Sequence, residues 1–453
     1  MDALTDTLVS YAQDLRYEHL SPDVVHQAKR VWVDTMGCAI GGFRGEPAQI
    51  ARALAGDVQS RRPGTVLGTG QQTSPDLAAF CNGVAMRYQD YNDTYTGKEL
   101  GHPSDHLAAV LAAAEASAAD GRALITATVL AYEVFCRLCD AVQVRGRGFD
   151  YVVLGAPSAA LAASKALGLP RQQMAHAMSI AAASSLALFQ TRVEDISMWK
   201  ACAFPSVSRS AVFAALLAER GLSGPGNVFQ GRAGLFKVLD ETQIPHLQFP
   251  APRQPCKIQQ TSMKRFPVGH LAQTIVEAAL EVRRQGLPAA TIESVEIDTF
   301  RTAKEIMAGD PETWRPASRE TADHSIPYVA AVALLHGAVE WRHFDAQFYG
   351  DPRLLDLVQK VSVTVSDVCE RSWPQGMLSM VRVRTRDGQS AGARVEHHRG
   401  HWKNPMSDQE LEQKFLGNAE GVLSPAASRA LLDQLWRLEE LGDARTMAQS
   451  VML

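Results

Sequence analysis

Leu107-Ala-Ala-Val-Leu-Ala-Ala-Ala-Glu115-Ala-Ser-Ala-Ala119 is the stretch that decides the architecture. So much alanine points to closely packed helices and not to a sheet. Ser104-Asp105 ahead of it reads as a helix start, and the element is predicted to end near Gly121. The same pattern recurs on both sides. At Ser21-Pro22-Asp23 an N-cap hydroxyl is followed by proline at the first helical position and an acid facing the dipole. Val25, Ala28, Trp32, Met36 and Ala39 then follow at helical spacing until Gly41-Gly42. Further Ala-rich helices are predicted over Leu124 to Val142, Ala156 to Leu167, Gln172 to Leu188 and Arg209 to Arg220.

Pro245, Pro250, Pro252 and Pro255 end this regime, and the stretch reads as a crossing between domains. Beyond it the period becomes two. Val295, Ile297 and Thr299 alternate with polar neighbours, as do Val361, Val363 and Val365. Val381 to Thr385, then Asp387-Gly388, then Ala393 to Val395 reads as a hairpin whose Asp-Gly supplies positive φ. Helical stretches over Leu271 to Gln285 and Tyr328 to His336 lie between these strands. The fold class is therefore mainly α with a smaller α+β domain. After Ser407 the helical period returns in Leu411, Phe415 and Leu431 to Leu441. The period alone leaves open whether this tail rejoins the first domain or caps the second.

At 453 residues, two domains are the natural division, and 46% apolar with 21% charged residues is globular composition. A formal charge of −4 argues against a nucleic-acid binder, which needs a basic face. The N-terminus, Met1 to Asp6, lacks the basic start and apolar core of a signal peptide. Leu107 to Ala119 and Leu124 to Phe135 are short and carry Glu115 and Glu133, so no segment is expected to span a bilayer. Seven scattered cysteines suit reduced thiols and a cytoplasmic location. Cys136-x-x-Cys139 falls inside a helical pattern without a second pair and reads as packing. Nucleotide-binding glycine loops, a zinc-protease helix and a nucleophile elbow are all absent.

Four polar segments stand out against this apolar background. Arg87-Tyr-Gln-Asp90-Tyr-Asn-Asp93-Thr94-Tyr95, followed by Gly101-His102-Pro103-Ser104-Asp105-His106, is dense in acid, hydroxyl and imidazole. His102 falls just before a helix start, where free N–H groups favour an anion; a solvated loop with an N-cap is the structural alternative. In Ile196-Ser-Met-Trp199-Lys200 the lysine is a snorkelling surface residue or, if buried, a compact cation for a carboxylate. Met263-Lys264-Arg265-Phe266-Pro267, with His270 beyond, places two adjacent cations at the domain crossing. Asp323-His324-Ser325-Ile326-Pro327-Tyr328 contains a helix start in which the tyrosine would ordinarily pack.

Taken in order, these segments resemble the MmgE/PrpD family, which contains 2-methylcitrate dehydratase and cis-aconitate decarboxylase. The likeness also includes Ser208-Arg-x-x-x-Phe-Ala-Ala-Leu-Leu-Ala218, Gly221-Leu-Ser-Gly-Pro225 and Asn404-Pro-Met-Ser-Asp-Gln-Glu-Leu-Glu-Gln-Lys-Phe415. The resemblance implies a large all-helical domain over 1–267 and 406–453, an inserted α+β lid domain over 268–405, and a homodimer. It implies site residues at Asp90, Thr94, His102, Lys200, Lys264 and Tyr328 in a cleft between the domains. Where some of those relatives have a second active-site histidine, this chain reads Gly148-Phe149-Asp150-Tyr151, with Asp150 or Tyr151 in its place, which is closer to the dehydratase branch; Ala203 to Val207 departs from the dehydratase pattern.

The implied activity is a cofactor-independent hydro-lyase acting on a small, citrate-like polycarboxylate, with no metal, nucleic acid or membrane partner. His102 is the expected proton-transfer group, with a lysine as the alternative base, and Asp90 and Thr94 are expected to orient it or to bind a substrate oxygen. Lys200 and Lys264 are expected to hold carboxylates, and Tyr328 to serve the leaving hydroxyl. A cis-aconitate-type decarboxylase or an iminodisuccinate-type epimerase are the alternatives on the same site, and a non-catalytic carboxylate binder is the alternative of another class.

Overall fold

Helices form where the alanine runs predict them, in a computed structural model that describes residues 1–194, 196–239 and 246–452. Ser21 caps the helix Pro22–Gly42 by accepting from the Val24 N–H at 3.3 Å, and Asp120 caps Gly121–Ala141 through the Ala123 N–H at 2.8 Å. The alanine run itself is the helix Leu107–Ser117, preceded by a 3-10 turn over Pro103–His106. It ends on Ala118 in the left-handed region, φ 53°. Two helices begin well before the periodicity predicts, and each contains a proline. They are Val152–Ala166, with Pro157 inside, and Trp199–Glu219, with Pro205 inside. At Pro205 the neighbour is Gly83 of the helix Pro75–Arg87, where an added Cβ would lie 3.0 Å from the proline ring. That glycine lets the two helices approach.

Trp199–Glu219 is also long and apolar enough to cross a membrane by length and composition, contrary to the expectation that no segment is. Here 67% of its most apolar window is buried inside the protein, so it serves as a core helix.

Apolar side chains sort into two principal cores. The first runs from Leu4 to Met263 and resumes from Met406 to Val451. Leu411, Phe415, Leu431 and Leu435 of the C-terminal helices Asp408–Ala419 and Pro425–Trp436 lie in it, so the tail packs on the helical body. The prolines do not mark the change of core. Leu247 and Cys256 belong to the first core, and membership switches only between Met263 and Phe266. Pro245 lies outside the described residues.

The second core, Phe266 to Val395, packs the helices Gln273–Arg284 and Ile326–His336 on a four-stranded sheet. Its strand order is Val361–Val365, Ile292–Thr299, Ser379–Thr385, Ser390–Val395, with only the first pair parallel. The alternating pattern holds: Val295, Ile297, Val381 and Val383 are buried while Glu296, Arg382 and Arg384 face outward. The hairpin turn places Gly388 at φ 85°, as Asp-Gly predicted.

One buried ion pair ties the C-terminal tail to the loops beneath it. Lys414 Nζ lies 2.6 Å from Asp34 Oδ1, with both side chains at most 4% exposed. The same ammonium donates to the carbonyls of Tyr91 and Lys264, each at 2.8 Å. Lys414→Met therefore strands a buried carboxylate and should cost about 3–5 kcal/mol of stability. Urea unfolding checks this, and the Asp34→Asn/Lys414→Met double variant should recover a large part of the loss. A single variant that unfolds like the wild type would contradict it.

Candidate active site

The helix Pro75–Arg87 ends just before a sharp reversal in which Asp90 takes φ 48°. Aspartate tolerates this left-handed conformation better than most residues. The reversal buries its carboxylate, 1% exposed, among cations. Arg87 forms a close ion pair with Asp90 Oδ1; Lys264 Nζ donates to the same oxygen at 2.9 Å and to the Asp90 carbonyl at 2.7 Å. His324 Nε2 lies 3.3 Å from Oδ2 and Lys200 Nζ 4.0 Å from it. Lys200 Nζ in turn donates to Asp323 Oδ1 at 2.8 Å and sits 2.9 Å from His324 Nδ1. One network thus joins the helical body to the Asp323-His324 turn of the α+β part.

Burial alone would raise the Asp90 pKa, but Arg87, Lys264, Lys200 and His324 outweigh it and hold the carboxyl well below the usual range. For Lys264 burial prevails over the attraction of Asp90, and its pKa falls to about 8. For His324 burial, with the Lys200 charge, lowers the pKa.

His102 precedes Pro103 and is extended, φ −116° and ψ 94°. Its Nδ1 lies 2.7 Å from the Asp93 carbonyl. A carbonyl only accepts, so Nδ1 carries the hydrogen and Nε2 keeps its lone pair. Thr94 Oγ1 is 3.3 Å from the same Nδ1, and the Tyr151 ring stands edge-on at 5.5 Å. Burial, then the charges of Arg87 and Lys264, hold the imidazole well below its ordinary pKa. His102 is therefore a neutral group with a free basic nitrogen. The free N–H groups expected beside it are partly spent: the Ser104 N–H donates to Asp93 Oδ1 at 3.0 Å.

A cavity between the two cores gathers Asp90, His102 and Lys200 from the expected set. Lys200 is the buried form of the two anticipated, 4% exposed. Thr94 does not line the cavity; it stands behind His102 and pairs through its backbone with Ser262 at 2.7 and 2.8 Å. Lys264 does not line it either, being fully buried with its ammonium spent on Asp90, so it is not placed to receive a substrate carboxylate. Tyr328 is the clearest departure. Near the start of the helix Ile326–His336 it points into the second core, and its hydroxyl donates to the His343 carbonyl at 2.6 Å. That hydrogen is not available to the cavity.

The cavity also presents Arg87, Arg145, Asp150, Tyr151, Arg192, His270 and His324. Arg87, His270 and His324 stood inside or beside the polar segments, and Asp150-Tyr151 at the position of the missing histidine. Arg145 and Arg192 carry no sequence signal, because each lies in a short 3-10 turn whose place is set by packing.

Asp90, Asp323 and His324 bring one ligand atom each within 4.8 Å of one another, the spacing of a metal site. The donors do not suit a metal ion. Lys200, Lys264 and Arg87 already neutralise both carboxylates, and a divalent cation there would face their charges at hydrogen-bonding distance.

The MmgE/PrpD N-terminal domain model matches residues 6–248 and the MmgE/PrpD C-terminal domain model residues 266–438. Cis-aconitate decarboxylase of Homo sapiens is 28% identical over 99% of this chain and 94% of its own. 2-Methylcitrate dehydratase of Cupriavidus necator is 28% identical over 92% of this chain and 90% of its own. The enzyme of that name from Escherichia coli K12 is 29% identical, covering 77% and 75%.

A depressed His102 pKa has a thermodynamic sign. Above about pH 6.5 the imidazole is neutral both folded and unfolded, and His102 contributes nothing to pH dependence; below it only the unfolded chain takes up the proton. Relative to His102→Gln, the wild type should therefore lose stability as pH falls below about 6.5, by at most ~1.4 kcal/mol per unit. Urea unfolding of both proteins at stepped pH checks this, and parallel curves would contradict it.

Proposed function

The chain belongs to the MmgE/PrpD family, and from that premise we propose that it is a cofactor-independent hydro-lyase that dehydrates a citrate-like polycarboxylate. The observation that carries this reading is the neutral His102, its Nε2 lone pair in a cavity walled by Arg87, Arg145, Arg192 and Lys200. Cations attract the polyanion, and the imidazole takes a proton from the carbon next to a carboxylate. As that C–H bond breaks, negative charge spreads onto the carboxylate and is met by the fixed cations. The C–O bond then breaks, and the departing hydroxide takes a proton to leave as water. With Tyr328 turned into the second core, that proton falls to Lys200, whose ammonium is held in the cavity wall by Asp323. Return of the His102 proton to the Lys200 amine, through water, closes the cycle. Acid–base catalysis contributes about 10²–10⁴-fold, so the remainder rests on electrostatic preorganisation.

The neutral imidazole favours this reading over decarboxylation. Decarboxylation generates a carbanion that needs a proton delivered, and an imidazole with a depressed pKa carries that proton in only a small fraction of molecules at neutral pH.

A proton-NMR screen of tricarboxylic acids is the direct test. 2-Methylcitrate or a close analogue should give the unsaturated acid with loss of water, and His102→Ala should lower kcat by about 10²–10⁴-fold with the fold retained. Release of carbon dioxide from cis-aconitate, with no hydroxy acid dehydrated, would overturn the assignment.

Turnover should survive exhaustive chelation, since every proposed acid, base and cation is a side chain. Activity lost with chelator and restored by a divalent ion would refute the cofactor-independent part of the reading.

A further inference from the structure

One wall of the cavity moves no proton in the chemistry above and supplies only positive charge. It is formed by Arg145 and Asp150 on one segment and by Phe189 and Arg192 on another. Arg192 Nε donates to Asp150 Oδ2 at 2.8 Å, Nη1 to the Lys200 carbonyl at 3.3 Å, and the guanidinium lies 5.3 Å over the Tyr151 ring. Its Nη2 is buried and has no hydrogen-bond partner among the described residues. Arg145 repeats the arrangement. Its Nη2 is 3.0 Å from Glu99 Oε1, its guanidinium lies 5.1 Å over the Phe189 ring, and its Nε is buried and unpartnered.

Two guanidinium groups are thus clamped by acids and rings, each with a donor unspent. A buried donor left unsatisfied is costly, so the wall is built to receive an acceptor. A planar guanidinium suits carboxylate and phosphate oxygens alike, and a carboxylate is what the polycarboxylate reading brings to this cavity. Four cations line the cavity, Arg87, Arg145, Arg192 and Lys200, and of the acids paired with them only Asp90 and Asp150 line it too.

We propose that Arg192, assisted by Arg145, forms a subsite for an additional substrate carboxylate, so that the site selects tricarboxylates over dicarboxylates. The inference rests on reading the cavity as a polycarboxylate site, but its test needs no turnover. Calorimetric titration compares tricarballylate, an unreactive tricarboxylate, with glutarate, which lacks the third group. Wild-type protein should bind tricarballylate at least about 10-fold more tightly.

Arg192→Met alone would strand Asp150, so the informative variant is Asp150→Asn/Arg192→Met, which removes the pair and leaves the net charge unchanged. It should weaken tricarballylate about 10- to 100-fold while glutarate stays within about 3-fold. Arg145→Met should move the ratio the same way. Equal losses for both acids would make the pair structural, and an unchanged tricarballylate affinity would remove the subsite; either result overturns the proposal. Binding that behaves as stated in a protein that dehydrates nothing would leave the subsite standing and sink only the activity.

Discussion

Asp90 carries a charge almost wholly withdrawn from water, and the protein answers it with Arg87, Lys264 and His324, with Lys200 one step further out. A carboxylate sealed from solvent is tolerable only with such partners in good geometry. Those partners come from four separate stretches of chain, one of them in the α+β part. The two cores must therefore sit in register for the charge to be satisfied. Lys414, reaching in from the C-terminal helix to the carbonyls of Tyr91 and Lys264, holds the two backbone segments that carry Asp90 and its principal lysine.

The same charges set the state of the base. His102 stays neutral first because it is buried and then because Arg87 and Lys264 repel a further positive charge. A polyanion entering the cavity cancels part of that field, so the imidazole becomes a stronger base when a substrate is present. Attraction of the anion and activation of the base are two consequences of one arrangement. Tautomer is decided separately, by the Asp93 carbonyl on Nδ1. Asp93 itself is held by the Ser104 N–H and the Tyr132 hydroxyl, the latter at 2.7 Å from Oδ2. Burial raises its pKa to about 6. The polar density of residues 87–106 is thus mostly internal: these groups orient one another, and only Arg87, Asp90 and His102 among the titratable ones reach the cavity.

Much of the fold was legible because it rests on short-range rules. Alanine runs, N-cap hydroxyls at Ser21 and Ser407 and the period-two valines act within a few residues, and the elements formed where they stood. Errors arose where a distant partner overrode a local rule. The helix through Pro205 was read as starting at Arg209, yet it runs from Trp199, with Gly83 on another helix making room for the proline. The apolar helix it lies in meets the local rule for a membrane span and is instead covered by the rest of the helical body.

The site divides in the same way. By itself the sequence determined the fold class, the family resemblance, and that Asp90, His102 and Lys200 belong to one polar constellation, because chemically unusual residues cluster in motifs that can be read in one dimension. Only the tertiary structure decided which of them face the cavity. Tyr328 turned into the second core and Lys264 went beneath Asp90, since a side chain's direction follows from what packs around its backbone. Arg145 and Arg192 entered the wall without any motif, because a guanidinium's position there depends on Glu99, Asp150 and two aromatic rings brought near by folding. Charge type is a property of the residue, but the direction in which an unspent N–H points is a property of its neighbours.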